Sequence, residues 1–128
     1  MNPQPKPRIL IVDDEEDIVT NLEAFLEEEG YEVLTAREGE TAFEKIEEEK
    51  PNLVLLDLNI PKMSGLQILE KLKPKETGIK VLIFSGIATK AERDQALSLG
   101  ASGYLNKPIQ IATLLTELRR LVRRPGAP

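Results

Sequence analysis

The sequence predicts an α/β fold in which a parallel sheet is covered by helices on both faces. Short apolar runs alternate five times with longer amphipathic segments, which is the pattern of repeated strand–helix units. Two of the runs, Ile9–Val12 and Leu53–Leu56, contain no polar residue, as expected of strands buried on both faces. Right-handed crossovers then favour a doubly wound, flavodoxin-like sheet with strand order 2-1-3-4-5.

The first half of the chain contains two strand–helix units. The strand Ile9–Val12 runs into an acidic pair, and the helix after it (residues 15–29) has an apolar stripe and ends at Gly30. Residues 31–36 form a weaker strand with mixed polarity. The next helix, residues 40–50, is amphipathic and ends at Pro51.

The second half contains three more units. A strand at residues 52–57 precedes a helix from Ser64 to about residue 73, where Ser64 and Gln67 have capping-box spacing. A strand at residues 80–84 precedes a second capping box, Thr89 with Glu92, whose helix stops near residue 100. A short strand at residues 102–105 leads into a last helix, residues 109–124. We expect one domain over residues 8–124, a flexible lead-in over residues 1–7, and a tail or linker start over residues 125–128.

The composition restricts the class of function. The 128 residues carry a net charge of −5, which argues against nucleic acid or an anionic membrane as a direct partner. Without cysteine or histidine, the chain has no disulfide, no thiolate chemistry and no imidazole base. No apolar run approaches the roughly 20 residues of a membrane span, and the first residues lack a signal-peptide core. We therefore expect a cytoplasmic protein.

Polar side chains collect where the predicted strands end. In this strand order, ligands bind outside the carboxyl ends of the strands, at the switch point between the first and third. The first strand ends in Asp13 and Asp14, the third in Asp57 and the fourth in Ser85, while the fifth leads into Lys107. The fold therefore brings three carboxylates, a hydroxyl and an ammonium group to one place.

Three converging carboxylates require a cation. At about 5 Å and an effective dielectric constant of about 20, each pair repels by roughly 3 kcal/mol. Oxygen ligands without histidine or cysteine favour Mg²⁺ or Mn²⁺ over zinc. A lysine and a small hydroxyl suit phosphoryl oxygens. The chemistry that fits is attack by Asp57 on a phosphoryl group, which gives an aspartyl-phosphate.

From about Arg8 to Arg124 the chain resembles the receiver domain of bacterial two-component response regulators, as in chemotaxis regulators. The matching residues are Asp13–Asp14, Asp57 with Pro61 and Gly65 after it, Ser85–Gly86, Tyr104, and Lys107–Pro108. The resemblance implies that Asp57 accepts a phosphoryl group from a histidine kinase or a histidine phosphotransfer protein and loses it slowly by autodephosphorylation. It implies contacts from Ser85 and Lys107 to the phosphoryl group, and a metal held by Asp13, Asp14, Asp57 and the backbone carbonyl of Asn59.

The resemblance also implies a conformational switch. Ser85 would move toward the phosphoryl group and Tyr104 would turn inward, which remodels an output face made of the fourth helix, fifth strand and fifth helix. It further implies a cis peptide bond at Lys107–Pro108, and a kinase-docking surface at Ile18, Pro108 and Ile109. The downstream protein effector stays open.

The oligomeric state expected from the resemblance is a monomer or a weak, phosphorylation-dependent dimer. DNA-binding regulators that dimerise through the output face usually carry acidic residues just before the tyrosine. Here Ser102 and Gly103 occupy those positions. The sequence therefore lacks the acidic residues that accompany that mode of dimerisation.

Each of these residues also has a simpler explanation. Asp13 and Asp14 would suit the start of a helix as caps, and Ser85 would suit a turn. Lys107 would be a solvated lysine before a proline that opens a helix. Ile18 would be core packing, and Tyr104 a half-buried sheet residue.

Three other classes of function compete with the signalling switch. A phosphatase of the haloacid dehalogenase type needs an aspartate two residues after the nucleophile, where this chain has Asn59. A flavin-binding electron carrier needs a phosphate loop rich in serine, threonine or glycine after the first strand, where this chain has the acidic run Asp13–Asp17. A pure interaction module would not need all five polar residues of the site.

Overall fold

The computed structural model describes residues 6–86 and 89–122, and it forms one five-stranded parallel sheet in the order β2-β1-β3-β4-β5. The strands are β1 (Arg8–Val12), β2 (Glu32–Ala36), β3 (Leu53–Leu56), β4 (Lys80–Ser85) and β5 (Gly103–Asn106). The helices are α1 (Glu16–Glu28), α2 (Gly39–Glu49), α3 (Gly65–Leu72), α4 (Pro74–Thr77), α5 (Lys90–Ser98) and α6 (Ile111–Leu121). The predicted fold class and strand order are confirmed. Residues 1–5 and 123–128, which include most of the predicted lead-in and the whole predicted tail, lie outside the described residues.

Alternate residues of the central strands face two separate cores. Ile9 and Ile11 of β1 pack with α1 and α6 on one face of the sheet, whereas Leu10 and Val12 pack with α2, α3 and α5 on the other. All four side chains are fully buried, as are those of β3. This burial on both faces explains why Ile9–Val12 and Leu53–Leu56 contain no polar residue.

The ends of the helices follow the predicted signals. Ser64 accepts a hydrogen bond from the Gln67 amide at 3.3 Å, and the Gln67 side chain accepts one from the Ser64 amide at 2.9 Å. Thr89 and Glu92 make the same reciprocal pair at the start of α5. Both capping boxes are therefore confirmed, and each fixes the start of a helix that follows a loop at the carboxyl end of the sheet.

Two elements differ from the prediction. The four-residue helix α4, which begins at Pro74, was not predicted, so the predicted fourth and fifth helices are α5 and α6. The last helix begins at Ile111 and not at Ile109, because Gln110 is its extended N-cap residue. The explanation of Pro108 as the first residue of a helix is therefore wrong. Within residues 6–86 and 89–122, no helix has the length and apolar character needed to cross a membrane.

Candidate functional site

Two buried aspartates follow the central strands directly. Asp13 comes after β1 and is fully buried, and Asp57 comes after β3 and is 5% exposed. The Asp57 amide donates to the Val12 carbonyl at 3.0 Å and so continues the pairing of β3 with β1. Because parallel strands end at the same edge of a sheet, neighbouring strands place these two carboxylates side by side.

Each buried carboxylate is held by a backbone amide two residues further along the chain. Asp13 Oδ1 accepts from the Glu15 amide at 2.9 Å, and Asp57 Oδ1 accepts from the Asn59 amide at 3.0 Å. Such short-range bonds fix the side-chain orientation locally. In both residues the second oxygen, Oδ2, is left to face the rest of the site.

Lys107 supplies the counter-charge. It follows β5, and its amide donates to the Ser85 carbonyl at 3.2 Å. Its Nζ atom lies 2.7 Å from Asp13 Oδ2, 2.9 Å from Asp57 Oδ2 and 3.1 Å from Glu15 Oε1. The side chain is only 13% exposed. The ammonium group therefore sits inside the site and is not a solvated lysine, which excludes the simpler explanation.

Burial and pairing act against each other on these groups. Burial raises the pKa of Asp13 above its ordinary value, although the contact with Lys107 opposes that rise. Burial also disfavours the charge on Lys107, but its close contacts with the carboxylates of Asp13, Asp57 and Glu15 outweigh burial and raise its pKa above the ordinary value. The lysine therefore stays charged, while ionised Asp13 carries a desolvation cost that one ammonium group does not fully offset.

The carboxylates fit a hard divalent cation. Asp13, Asp14 and Asp57 each offer one oxygen, and these oxygens lie within 4.8 Å of one another. Asp14 is exposed, whereas Asp13 Oδ2 is buried and accepts no well-aligned hydrogen bond in the described part of the chain. A set of oxygen ligands that includes Asp13 Oδ2, a buried oxygen without a well-aligned hydrogen bond, suits Mg²⁺ or Mn²⁺.

The helix-capping explanation of the acidic pair does not hold. The N-cap residue of α1 is Glu15, and its side chain makes no capping hydrogen bond. Asp13 accepts from the Glu15 amide, ahead of the first helical residue. The acidic pair is therefore arranged for the site at the sheet edge and not for the helix.

Ser85 and Tyr104, the two predicted switch residues, are in contact. Ser85 ends β4 and is 1% exposed, and its Oγ atom has no hydrogen-bond partner within the described ranges. The Tyr104 hydroxyl donates to the Ser85 carbonyl at 3.2 Å, and the Arg93 guanidinium of α5 lies 5.4 Å from the centre of the Tyr104 ring. The tyrosine thus links β4 to α5, as a half-buried residue of β5.

The predicted docking residues are not equally exposed. Ile18 and Ile109 are partly buried against the core on the α1 and α6 side, and Pro108 is exposed. Core packing therefore accounts for part of the Ile18 side chain. The Lys107–Pro108 peptide bond is cis, as the resemblance implied.

Two contributors to the site were not predicted. Glu15 is the third carboxylate on Lys107, and its only sequence signal is its place directly after the acidic pair. Gly39 begins α2 against the loop after Asp57: its amide donates to the Pro61 carbonyl, and a Cβ there would lie 2.0 Å from the Met63 carbonyl oxygen. Gly65, which the resemblance did include, has a similar reason, since its Cβ would lie 2.7 Å from the Asp57 carbonyl oxygen.

The chain matches known proteins over most of its length. Residues 9–119 match the family model of the response regulator receiver domain. The alkaline phosphatase synthesis transcriptional regulatory protein PhoP of Bacillus subtilis is 37% identical over 117 residues, covering 91% of this chain and 49% of PhoP. The probable transcriptional regulator ycf27 of Cyanophora paradoxa is 40% identical over 123 residues, covering 96% of this chain and 51% of ycf27. This chain therefore spans about half the length of the curated relatives that it matches.

Solved structures show the same architecture. A CheY-like response regulator receiver domain protein from Methanospirillum hungatei superposes with a TM-score of 0.86 at 36% identity, covering 91% of this chain and 93% of that one. The BeF3-activated N-terminal receiver domain of Klebsiella pneumoniae RstA has a TM-score of 0.83 at 30% identity, covering 91% and 99%.

Proposed function

We propose that this chain, which belongs to the family of response regulator receiver domains, is a signalling switch whose phosphoacceptor is Asp57. The observation that carries the assignment is the contact of Lys107 Nζ with Asp57 Oδ2 at 2.9 Å, inside a group of three aspartates. It supplies a buried nucleophile and a fixed positive charge at one point. Ordinary turnover of an external substrate is not part of the proposal.

The proposed reaction is transfer of a phosphoryl group to Asp57. A carboxylate oxygen of Asp57 forms a bond to phosphorus while the bond from phosphorus to the donor nitrogen breaks, and the donor imidazole leaves with the bonding electrons. Lys107 and the Ser85 hydroxyl are the groups that would hold the phosphoryl oxygens. When bound, Mg²⁺ neutralises charge on the transferring group. Attack by water on the same phosphorus atom returns free Asp57 and inorganic phosphate.

The residues that would hold Mg²⁺ or Mn²⁺ are Asp13, Asp14, Asp57 and the backbone carbonyl of Asn59. The support is that oxygen atoms of the three aspartates lie within 4.8 Å of one another and that the buried Oδ2 atom of Asp13 accepts no well-aligned hydrogen bond from the described residues. For Asn59 the support is the hydrogen bond from its amide to Asp57 Oδ1, which holds this part of the loop beside the site.

The partners in this proposal come from the family. The donor is a histidine kinase or a histidine phosphotransfer protein, which docks at Ile18, Pro108 and Ile109, and the protein works in the cytoplasm. The chain spans about half the length of its curated relatives. The downstream protein effector therefore stays open in this proposal.

The proposed output face consists of α5, β5 and α6. The Tyr104–Ser85 contact supports it by joining this face to the site. The large apolar side chains that are exposed in the described part of the chain, Leu97 and Ile111, belong to α5 and α6. Arg120 of α6 donates to Glu117 and to the Ser102 carbonyl within the chain, so this guanidinium group is less available to pair with a second copy, in keeping with a monomer or a weak dimer.

The test is phosphorylation by acetyl phosphate in the presence of Mg²⁺, followed by intact-protein mass spectrometry. We expect one added phosphoryl group on the wild type and none on Asp57→Asn. Asp94→Asn is the matched control, because Asp94 is exposed and paired with Lys90 on α5, and it should be modified normally. A phosphorylated Asp57→Asn protein, or an unmodified wild type, would refute the assignment.

A further inference from the structure

Glu15 stands apart from the other two carboxylates on Lys107. It is 60% exposed and does not belong to the group of three aspartates that fits a cation. Its side chain is not used by α1, which it precedes as an N-cap residue without a capping bond. Its amide is bound to Asp13, so its backbone is fixed beside the site while its carboxylate reaches Lys107.

Lys107 and a divalent cation would both need the Oδ2 atoms of Asp13 and Asp57, because the Oδ1 atom of each residue accepts a hydrogen bond from a backbone amide. The atom closest to Lys107 Nζ is Asp13 Oδ2, at 2.7 Å, and Asp57 Oδ2 follows at 2.9 Å. Two like charges repel at such distances. Lys107 must therefore leave Asp13 before that oxygen can serve as a metal ligand.

Among the described residues three carboxylates contact Lys107, and of these Glu15 alone has no place in the proposed metal site. We propose that Glu15 is a positioning residue that holds the Lys107 ammonium group after it leaves Asp13, so that Asp13 is released while Lys107 stays beside Asp57. The inference rests on the proposed function for the identity of the cation. It assigns a role to Glu15, the residue after the acidic pair, which is not among the residues proposed to bind the metal or the phosphoryl group.

The alternatives are specific. One alternative is that the ion pair contributes no measurable free energy, as is common when one partner is exposed. The other is that Glu15, like any acidic residue near the site, attracts the divalent cation through space. Both alternatives predict that the effect of removing Glu15 does not depend on Lys107. A positioning role predicts that it does.

The experiment is a double-mutant cycle read by calorimetric titration with MgCl₂ alone, on the wild type, Glu15→Gln, Lys107→Met and the double variant. We expect Glu15→Gln to lower the Mg²⁺ association constant about two- to fivefold when Lys107 is present, the range of an exposed ion pair. In the Lys107→Met background the same change should be below about 1.5-fold. Glu15→Asp should recover part of the loss, because it keeps the charge.

Glu16→Gln is the matched control, since it removes the same charge one residue further on, from a side chain that pairs with Arg37. It should leave Mg²⁺ affinity nearly unchanged. An unchanged Glu15→Gln protein, an equal effect in both backgrounds, or a wild type that does not bind Mg²⁺ would overturn the proposal.

A second measurement needs no Lys107 variant. The side-chain ¹³Cε and ¹⁵Nζ resonances of Lys107 should shift during the Mg²⁺ titration in the wild type, and follow a different course in Glu15→Gln. Identical courses would contradict the proposal. These readouts do not involve phosphorylation, so a protein that shows the coupling but is not modified by acetyl phosphate would refute the proposed function and leave the role of Glu15 intact.

Discussion

Lys107→Met, measured in EDTA, tests whether the ammonium group holds the buried carboxylates in place. The substitution keeps most of the volume of the side chain and removes its charge. Asp13 and Asp57 would then be left at 0% and 5% exposure without their cation. We expect a loss of stability that is much larger than removing a surface lysine would cause.

The magnitude is bounded from two directions. Breaking a buried ion pair by removing one partner costs about 3–5 kcal/mol. A stranded carboxyl can instead take up a proton, and from an ordinary pKa of 3.8 this costs at most about 4 kcal/mol at pH 7. Removing a partly buried lysine also returns its own desolvation cost. We therefore expect a loss of about 3 kcal/mol, or about 10 °C in Tm for a domain of this size.

The assay is urea unfolding in EDTA, repeated with Mg²⁺. Lys90→Met is the matched control, because its 3.1 Å pair with Asp94 joins side chains that are 84% and 61% exposed, and it should cost less than about 0.5 kcal/mol. Mg²⁺ should narrow the gap in stability between Lys107→Met and the wild type, because the variant has no ammonium group that competes for Asp13 and Asp57 and should therefore gain more stability from the cation. A gap below about 1 kcal/mol in EDTA, or one that Mg²⁺ leaves unchanged, would refute the reasoning.

Three further predictions concern stability, each measured by urea unfolding. Gly39→Ala should cost about 3 kcal/mol, because its Cβ would overlap the Met63 carbonyl, whereas Gly78→Ala (φ +79°, with nothing within 4 Å) should cost only about 1 kcal/mol; equal losses would contradict the close approach. Ser64→Ala should cost about 1 kcal/mol through loss of its capping box, and an unchanged protein would show that the cap is idle. The stability that Lys107 contributes should be complete below its ordinary pKa of 10.5 and decline as the pH rises through its higher folded-state value, because its hydrogen bonds outweigh burial. The difference between the wild type and Lys107→Met should therefore shrink above about pH 10.5, and a difference that grows would contradict this sign.

The parts of the fold that the sequence predicts are those determined by the burial of apolar residues and by the residues that begin and end helices and strands. β1 and β3 lie in the middle of the sheet, so both faces exclude polar residues, and the runs are visible without any structure. The convergence of Asp13, Asp57 and Lys107 was predictable for the same reason, since parallel strands of known order deliver their carboxyl ends to one edge. No comparable argument identifies which oxygen faces which ammonium group.

The features that were missed depend on contacts without a periodic signal. α4 has four residues, which is too short for a helical repeat to be read from Pro74–Thr77. The pair between Glu15 and Lys107 joins residues 92 positions apart and depends on side-chain conformations. Glycine is required at position 39 because the loop around Met63 passes too close for a Cβ atom. Only the three-dimensional structure reveals this approach.

The polar groups with incomplete bonding lie on either side of the proposed phosphoacceptor. Asp13 Oδ2 follows β1 and Ser85 Oγ ends β4, while Asp57 follows β3, the strand between them. A buried polar atom without a hydrogen bond costs about 1–3 kcal/mol, which applies to Ser85 Oγ, whereas Asp13 Oδ2 has the Lys107 ammonium group at 2.7 Å but no well-aligned hydrogen bond. The two atoms have opposite requirements: the carboxylate oxygen can accept a further cation, and the hydroxyl has a proton to donate. A phosphoryl group on Asp57 beside a divalent cation would satisfy both requirements at once. If Asp57 is the phosphoacceptor, as proposed, its modification would stabilise a different arrangement of β4 and, through the Tyr104 contacts with Ser85 and Arg93, of α5.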